Sequence, residues 1–294
     1  MGIVIRQSLK GSIVTYLGTA IGTFNVIFLY NKFLSQEQVG LIAGALVSIP
    51  LIFASFTQLG IPHIAVRFFP HFDDPAKGHN GFFGFLMLAP LFGLSLFVLG
   101  YLALHQVFNQ IYSENSPLLP TYFYYIIPLT VFYVYMTVLE AYARVHLRIV
   151  VPAIIRELFL RISNGLLILS FGLGYIDFHQ LIQCITLSYA IAVLGFFIYI
   201  KQLKRFYTRL DFSFLRQPIF KDMLGYGGWV LLAGASFTLI QHIEKLMLPA
   251  YAGGLSTTAI FDINSRMGLM IAIPRNVIAA ISTPLLAQAW KRND

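Results

Sequence analysis

Residues 81–104 read GFFGFLMLAPLFGLSLFVLGYLAL, without one charged side chain. A helix needs about 20 mostly apolar residues to cross the hydrocarbon core of a bilayer. A helix apolar on every side belongs in lipid or at the centre of a large core. Similar runs lie outward in both directions: Ser12–Lys32, Val39–Ile61, Leu118–Glu140, Pro152–Gly174, His179–Ile200, Gly227–Pro249 and Thr258–Ala280. None alternates with period two, which argues against a membrane barrel. The predicted fold class is therefore all-α, a multispanning transmembrane helical bundle of about eight spans. Prolines inside these runs, Pro50, Pro90, Pro128 and Pro274, are tolerated where neighbouring helices satisfy the freed carbonyls.

Composition agrees. Hydrophobic types make up 57% of the 294 residues and charged types 11%, against roughly 25% charged in a soluble domain. The mean hydropathy is +0.74. The formal charge of +8 does not point to nucleic acid, because the basic residues are spread over short connections and form no single stripe. Arg6 and Lys10 precede the first run, and Arg67 and Lys77 follow the second. Arg144 and Arg148 follow the fourth, and Lys201, Lys204, Arg205, Arg209, Arg216 and Lys221 follow the sixth. Lys291 and Arg292 close the chain, and only Lys32 falls on the other side. The asymmetry places the N-terminus and the C-terminus in the cytoplasm. Arg6 stands where a myristoylation motif needs Ser or Thr. The first run is too long for a signal-peptide core, so it reads as a retained span. The single cysteine, Cys184, allows no intrachain disulfide.

The domain reading is a first six-helix lobe over 1–200, a cytoplasmic amphipathic linker over 201–226, and the start of a second lobe over 227–294. In the linker, basic residues mix with Phe206, Tyr207, Phe212, Phe214, Leu215 and Phe220, a pattern that lies on anionic lipid. Spans seven and eight echo spans one and two. Each pair is a helix, a short outer turn, and a helix with a mid-membrane proline (Pro50 or Pro274) followed by a second (Pro62 or Pro284). Both pairs run in the same direction, as in transporters with parallel repeats.

Certain segments carry a resemblance. They are Leu34-Ser35-Gln36-Glu37-Gln38-Val39-Gly40, Arg67-Phe68-Phe69-Pro70, Arg156-Glu157-Leu158-Phe159-Leu160-Arg161-Ile162, Ile273-Pro274-Arg275-Asn276 and Ser282-Thr283-Pro284-Leu285. With them the chain resembles the polysaccharide-exporter branch of the MATE-like superfamily, the Wzx-type flippases of lipid-linked O-antigen units. The resemblance implies a V-shaped transporter of two lobes around a central cavity, with about twelve to fourteen spans in all. It also implies a polyprenyl-diphosphate-linked oligosaccharide as substrate and the bacterial inner membrane as location. The chain departs from that pattern by ending at Asp294. The expectation is an N-terminal fragment whose second lobe is missing, with a homodimer of half-transporters as the alternative.

Neither a catalytic constellation nor a Walker-type phosphate loop is present. The reading is therefore a transporter, not an enzyme, without cofactor, with H+ or Na+ as the candidate coupling ion. His63, His71 and His79 with Asp73 and Asp74 share one connection but lack metal-ligand spacing, and read as a solvated loop. Tyr122, Tyr124 and Tyr125 sit where an interface belt is expected. Tyr133 and Tyr135 lie deeper, where they line a cavity or pack. Glu140 with Arg144, and Glu157 with Arg161, are spaced for local ion pairs. The other role open to this region is a phosphate-binding cytoplasmic mouth of Arg67, Arg156 and Arg161, since guanidinium suits bidentate phosphate contacts. Glu244, Lys245, Asp262, Arg266 and Arg275 are the cavity charges expected to meet substrate. Glu244 and Lys245 reach the same depth as Asp262 and Arg266, so Glu244–Arg266 and Lys245–Asp262 pairs are both open. The rival readings are a drug/cation antiporter on the same fold and a membrane-bound glycan polymerase or acyltransferase.

Overall fold

A computed structural model describes residues 2–74, 79, 81–203, 213–251 and 253–268. All regular structure among the described residues is helical. Among the described residues six helices are long and apolar enough to cross a membrane: α1 (Leu9–Phe33), α2 (Gln36–Thr57), α4 (Phe82–Ala103), α6 (Phe123–Val145), α8 (Phe178–Gln202) and α9 (Pro218–Ala250). Between them lie α3 (Ile61–Phe72) and α5 (His105–Tyr112), a further long helix α7 (residues 150–172) and α10 (residues 254–268). The multi-pass membrane reading thus stands on six helices, fewer than the eight apolar runs of the sequence. The difference has a physical reason. The fifth run, α7, carries Arg156, Glu157 and Arg161 within its length. The eighth run is described only to residue 268, and Pro274, Arg275 and Pro284 lie outside the described residues.

The ends of the helices follow local chemistry. Ser35 opens α2 with a capping box: the Gln38 N–H donates to Ser35 Oγ (3.3 Å) and the Ser35 N–H to Gln38 Oε1 (3.0 Å). Asp177 and Gln180 do the same for α8 at 2.7 and 2.9 Å, so two backbone donors are satisfied at each start. Gly60, at φ +68°, breaks the chain after α2, because a left-handed residue cannot continue a helix. Pro62 in the first turn then starts α3. The amphipathic α3 buries Ile64, Phe68 and Phe72 and exposes His63, Arg67 and His71. Pro218 starts α9 in the same way, so residues 218–226 of the expected linker belong to this helix.

Outward faces are apolar. Leu91, Phe92, Leu96 and Leu99 on α4, and Trp229, Leu232, Phe237 and Ile240 on α9, are all exposed. In lipid these faces are the solvated ones. Inside, glycines bring backbones together, as expected where packing and not hydrophobicity drives helix association. On α1, Gly18-x-x-x-Gly22 lies against α7: a Cβ at Gly18 would sit 2.6 Å from the Glu157 carbonyl oxygen, and one at Gly22 would sit 2.9 Å from Arg161 Cδ. Asn25 then meets Gly165. The pairs advance together, so α1 and α7 run in the same direction. On α2, Gly40-x-x-x-Gly44 meets Leu255 and Thr258 of α10, and just after α2 Gly60 meets Gly227 of α9. His242 Nδ1 lies 3.1 Å from the Ser48 hydroxyl. Hence α2 runs antiparallel to α9 and parallel to α10, and the α9–α10 pair packs directly on it.

The end of α5 and the segment after it clasp the far end of α9, where helix carbonyls lack partners. Tyr112 Oη donates to the Leu246 carbonyl (2.8 Å), Asn115 Nδ2 to that of Ala250 (3.0 Å) and Ser116 Oγ to that of Pro249 (2.6 Å). Burial pushes the Tyr112 phenol up to about 12, which keeps it a donor at any physiological pH.

Candidate functional site

Among the described residues three helices each contain one π-helical turn: α1 at Asn25–Tyr30, α2 at Gly40–Ala45 and α7 at Ile154–Phe159. Such turns widen a helix and cluster at functional sites. All three line one cavity of about 250 Å³ inside the bundle. Its wall also takes Tyr133 from α6, Tyr189 from α8, Arg161 and Asn164 from α7 and Arg266 from α10.

The charges are arranged in two linked groups. On α7, Arg161 Nη2 contacts Glu157 Oε2 at 2.5 Å, and Arg156 Nη1 contacts Glu140 Oε2 of α6 at 2.6 Å. Glu140 also holds Arg144 at 3.0 Å. On the α9–α10 pair, Asp262 is fully buried. It accepts from Arg266 Nε at 2.6 Å and from the Lys245 ammonium across the helix boundary. Each of the three guanidinium groups lining the cavity is thus oriented by a carboxylate, and of these carboxylates only that of Glu157 itself lines the cavity among the described residues. Arg161 Nη1 and Asn164 Oδ1 are buried with no hydrogen-bond partner. An unsatisfied buried polar atom costs about 1–3 kcal/mol, so the cavity holds a donor and an acceptor that a ligand can satisfy. Neutral polar groups complete the wall. The Tyr133 and Tyr189 hydroxyls are 3.0 Å apart, and Asn25 Nδ2 donates to the Arg161 carbonyl at 2.7 Å.

The sequence placed Arg156 and Arg161 at a cytoplasmic mouth and Arg266 in a separate cluster near the other face. The structure brings all three to one cavity. Of the two cross-helix pairings it makes Lys245 with Asp262. Glu244 is exposed on α9 and has no ion-pair partner among the described residues. Arg67 does not join Arg156 and Arg161. It lies on α3 in another groove, stacked on Tyr226, because the break at Gly60 carries it outside the bundle. Arg275 lies outside the described residues. A second cavity of about 120 Å³ adjoins the first, lined by Gly11, Thr15, Glu140, Arg144, Arg148 and the shared Arg156 and Glu157. Arg156 lies in the wall between the two, and its partner Glu140 on the side of the second.

Among the tyrosines, Tyr133 lines the cavity, while Tyr135 packs outward and donates to the Met87 carbonyl at 3.2 Å. Tyr122 is buried and Tyr124 exposed, so only the latter faces outward as a belt residue would. His79 is buried, contrary to a solvated loop, with its ring against Phe69 at 5.2 Å between centroids. Tyr189, Asn164 and Asn25 were missed by the sequence reading. Their signal was the polar residue inside an apolar run, which in lipid marks a cavity or a helix contact. Comparisons with protein-family profiles, curated proteins and solved structures found no match for this chain.

Proposed function

We propose that this chain moves an anionic, lipid-linked oligosaccharide from the cytoplasmic to the outer face of the bacterial inner membrane by alternating access. The carrying observation is the convergence of Arg156, Arg161 and Arg266 on one cavity within a helical bundle. Charges inside a membrane are costly and mark substrate pathways, and guanidinium groups select phosphate and carboxylate. At about 250 Å³ the cavity is below the roughly 300–1,000 Å³ typical of ligand pockets. It accommodates a phosphate-bearing headgroup, and the rest of the glycan requires the α9–α10 pair to swing away from α7. The wall's positive balance speaks against a cation antiporter. A coupling ion, H+ or Na+, remains part of the proposal, as does a partner that completes the pathway, a second lobe or a second copy of the chain.

The test is a cell lacking the endogenous exporter of a phosphate-linked glycan. Arg161→Ala and Arg266→Ala are expected to reduce surface glycan at least tenfold, the loss of one charge-assisted contact of about 1.5–3 kcal/mol, at unchanged membrane abundance. Lysine at either position should retain part of the activity. Surface glycan unaffected by both alanine substitutions, in protein of normal abundance, overturns the reading.

The orientation is tested separately. Alkaline-phosphatase fusions at Asn109 and Asp177 are expected to be active and one at Arg209 inactive, as the lysine and arginine asymmetry dictates. The opposite pattern reverses the direction of transport.

A further inference from the structure

On the surface of the bundle, α3 and the first turns of α9 enclose a groove of about 600 Å³ lined by Arg67, His71, Lys221, Asp222, Gly225 and Tyr226. The Arg67 guanidinium carbon stands 4.2 Å from the centre of the Tyr226 ring and 5.7 Å from that of Phe68. A guanidinium stacked between rings keeps its N–H fork free at the edge and loses little entropy on binding. Arg67, His71 and Lys221 have no ion-pair partner among the described residues, unlike the arginines of the cavity.

The surface next to the groove is of a different kind. Trp229 stands one turn along α9 from Gly225 and Tyr226, so it lies on the same face, deeper in the bilayer. It is 78% exposed, and Leu224 is 56% exposed. A Cβ at Gly225 or Gly228 would meet nothing within 4 Å, so this face of the helix is open. Cations at the rim with bare apolar helix below match an amphiphile and not a soluble anion.

We propose that this groove is a binding site for an anionic phospholipid with a hydroxylated headgroup, of the phosphatidylglycerol type. The phosphodiester lies between Arg67 and Lys221, the headgroup hydroxyls donate to the Asp222 carboxylate, and one acyl chain runs over Gly225 and Trp229. Two permanent cations, one carboxylate and one phosphodiester leave the groove electrically neutral. A zwitterionic headgroup leaves it positive. The lipid then bridges α3, which follows directly from α2, to α9. The site lies outside the arginine-lined cavity and is independent of what that cavity carries.

The chain has two tryptophans, so Trp290→Phe leaves Trp229 as the reporter. The full chain with this substitution is placed in phosphatidylcholine bilayers containing increasing phosphatidylglycerol with brominated acyl chains. Brominated phosphatidylglycerol is expected to quench Trp229 well above random mixing, and brominated phosphatidylcholine and phosphatidylethanolamine at random mixing only. Arg67→Ala or Lys221→Ala should raise the half-quenching mole fraction roughly fivefold and the double variant about thirtyfold, from the contribution of one basic residue at a charged surface. Should a variant fold poorly, competition in the unsubstituted groove serves instead: unbrominated phosphatidylglycerol should relieve quenching, and inorganic phosphate or glycerol phosphate should not. Equal quenching by phosphatidylcholine, equal quenching by phosphatidylethanolamine, or displacement by the soluble phosphates each overturns the proposal.

Discussion

Replacing Asp262 by alanine is expected to remove most of the folded protein from the membrane. Asp262 is fully buried and is the carboxylate that faces both Lys245 and Arg266. Its loss leaves two cations inside the bundle without a counter-charge. Breaking a buried ion pair by deleting one partner costs about 3–5 kcal/mol, much of the roughly 5–15 kcal/mol that holds a protein folded. Asn at this position should be milder, because its carbonyl still accepts one of the two hydrogen bonds. The informative variant combines Asp262→Leu with Lys245→Met, which removes a charge of each sign. It should recover part of the lost thermal stability, since apolar replacement of a buried pair is often near neutral. Detergent-solubilised melting, followed by size-exclusion of a fluorescent fusion, reads all three. If Asp262→Ala melts within a degree or two of the unsubstituted chain, the triad does not hold α9 to α10.

A comparable loss is expected from valine at Gly40. An added Cβ there would sit 1.9 Å from the Leu255 carbonyl oxygen, a contact that only movement of α2 away from α10 can relieve. Backbone cannot retreat as a side chain can, so the cost is about 3 kcal/mol, the upper end of the usual range for overpacking. Gly44→Ala meets only the Thr258 methyl, at 2.6 Å, and should cost clearly less. Rescue of Gly44→Ala by Thr258→Ser, with no rescue of Gly40→Val by any change of the Leu255 side chain, would separate side-chain from backbone contact. Equal abundance of the Gly40 and Gly44 variants would show that the two helices do not approach this closely.

Much of this architecture is written in local sequence. The uncharged run at Gly81–Leu104 and the run beginning at Gly227 required no tertiary information, because a helix in lipid is selected by length and apolarity alone. The Asp262–Arg266 contact followed from i,i+4 spacing, and counting depth along a helical hairpin left Lys245–Asp262 and Glu244–Arg266 as the two cross-helix pairs. Glu244 was misplaced because adjacent helical residues point about 100° apart, and depth alone does not choose between them. Arg67 was grouped with Arg156 and Arg161 because all three follow apolar runs on one side. The signals that separate it, Gly60 with Pro62 two residues on, were present and mark a chain break. The Gly18/Gly22 and Gly40/Gly44 pairs were equally legible as close-packing motifs. No residue type announces the π-helical turns, since these arise from how α1, α2 and α7 settle against one another. The shared cavity therefore stayed hidden: it places the α7 arginines beside one from α10, more than a hundred residues later in the chain.

Among the described residues, the ion-paired groups in and beside the cavity do not balance. Apart from the exposed Arg144 and Glu244, Arg156, Arg161, Lys245 and Arg266 meet Glu140, Glu157 and Asp262, which leaves this interior network with one positive charge in excess. A membrane potential acts on such a charge with about 2.3 kcal/mol per 100 mV for a full crossing. With the cytoplasm negative, the empty protein is drawn electrically toward the state that holds this charge nearest the cytoplasm. A bound monoanion cancels that force, so the loaded and empty protein would experience the same voltage differently.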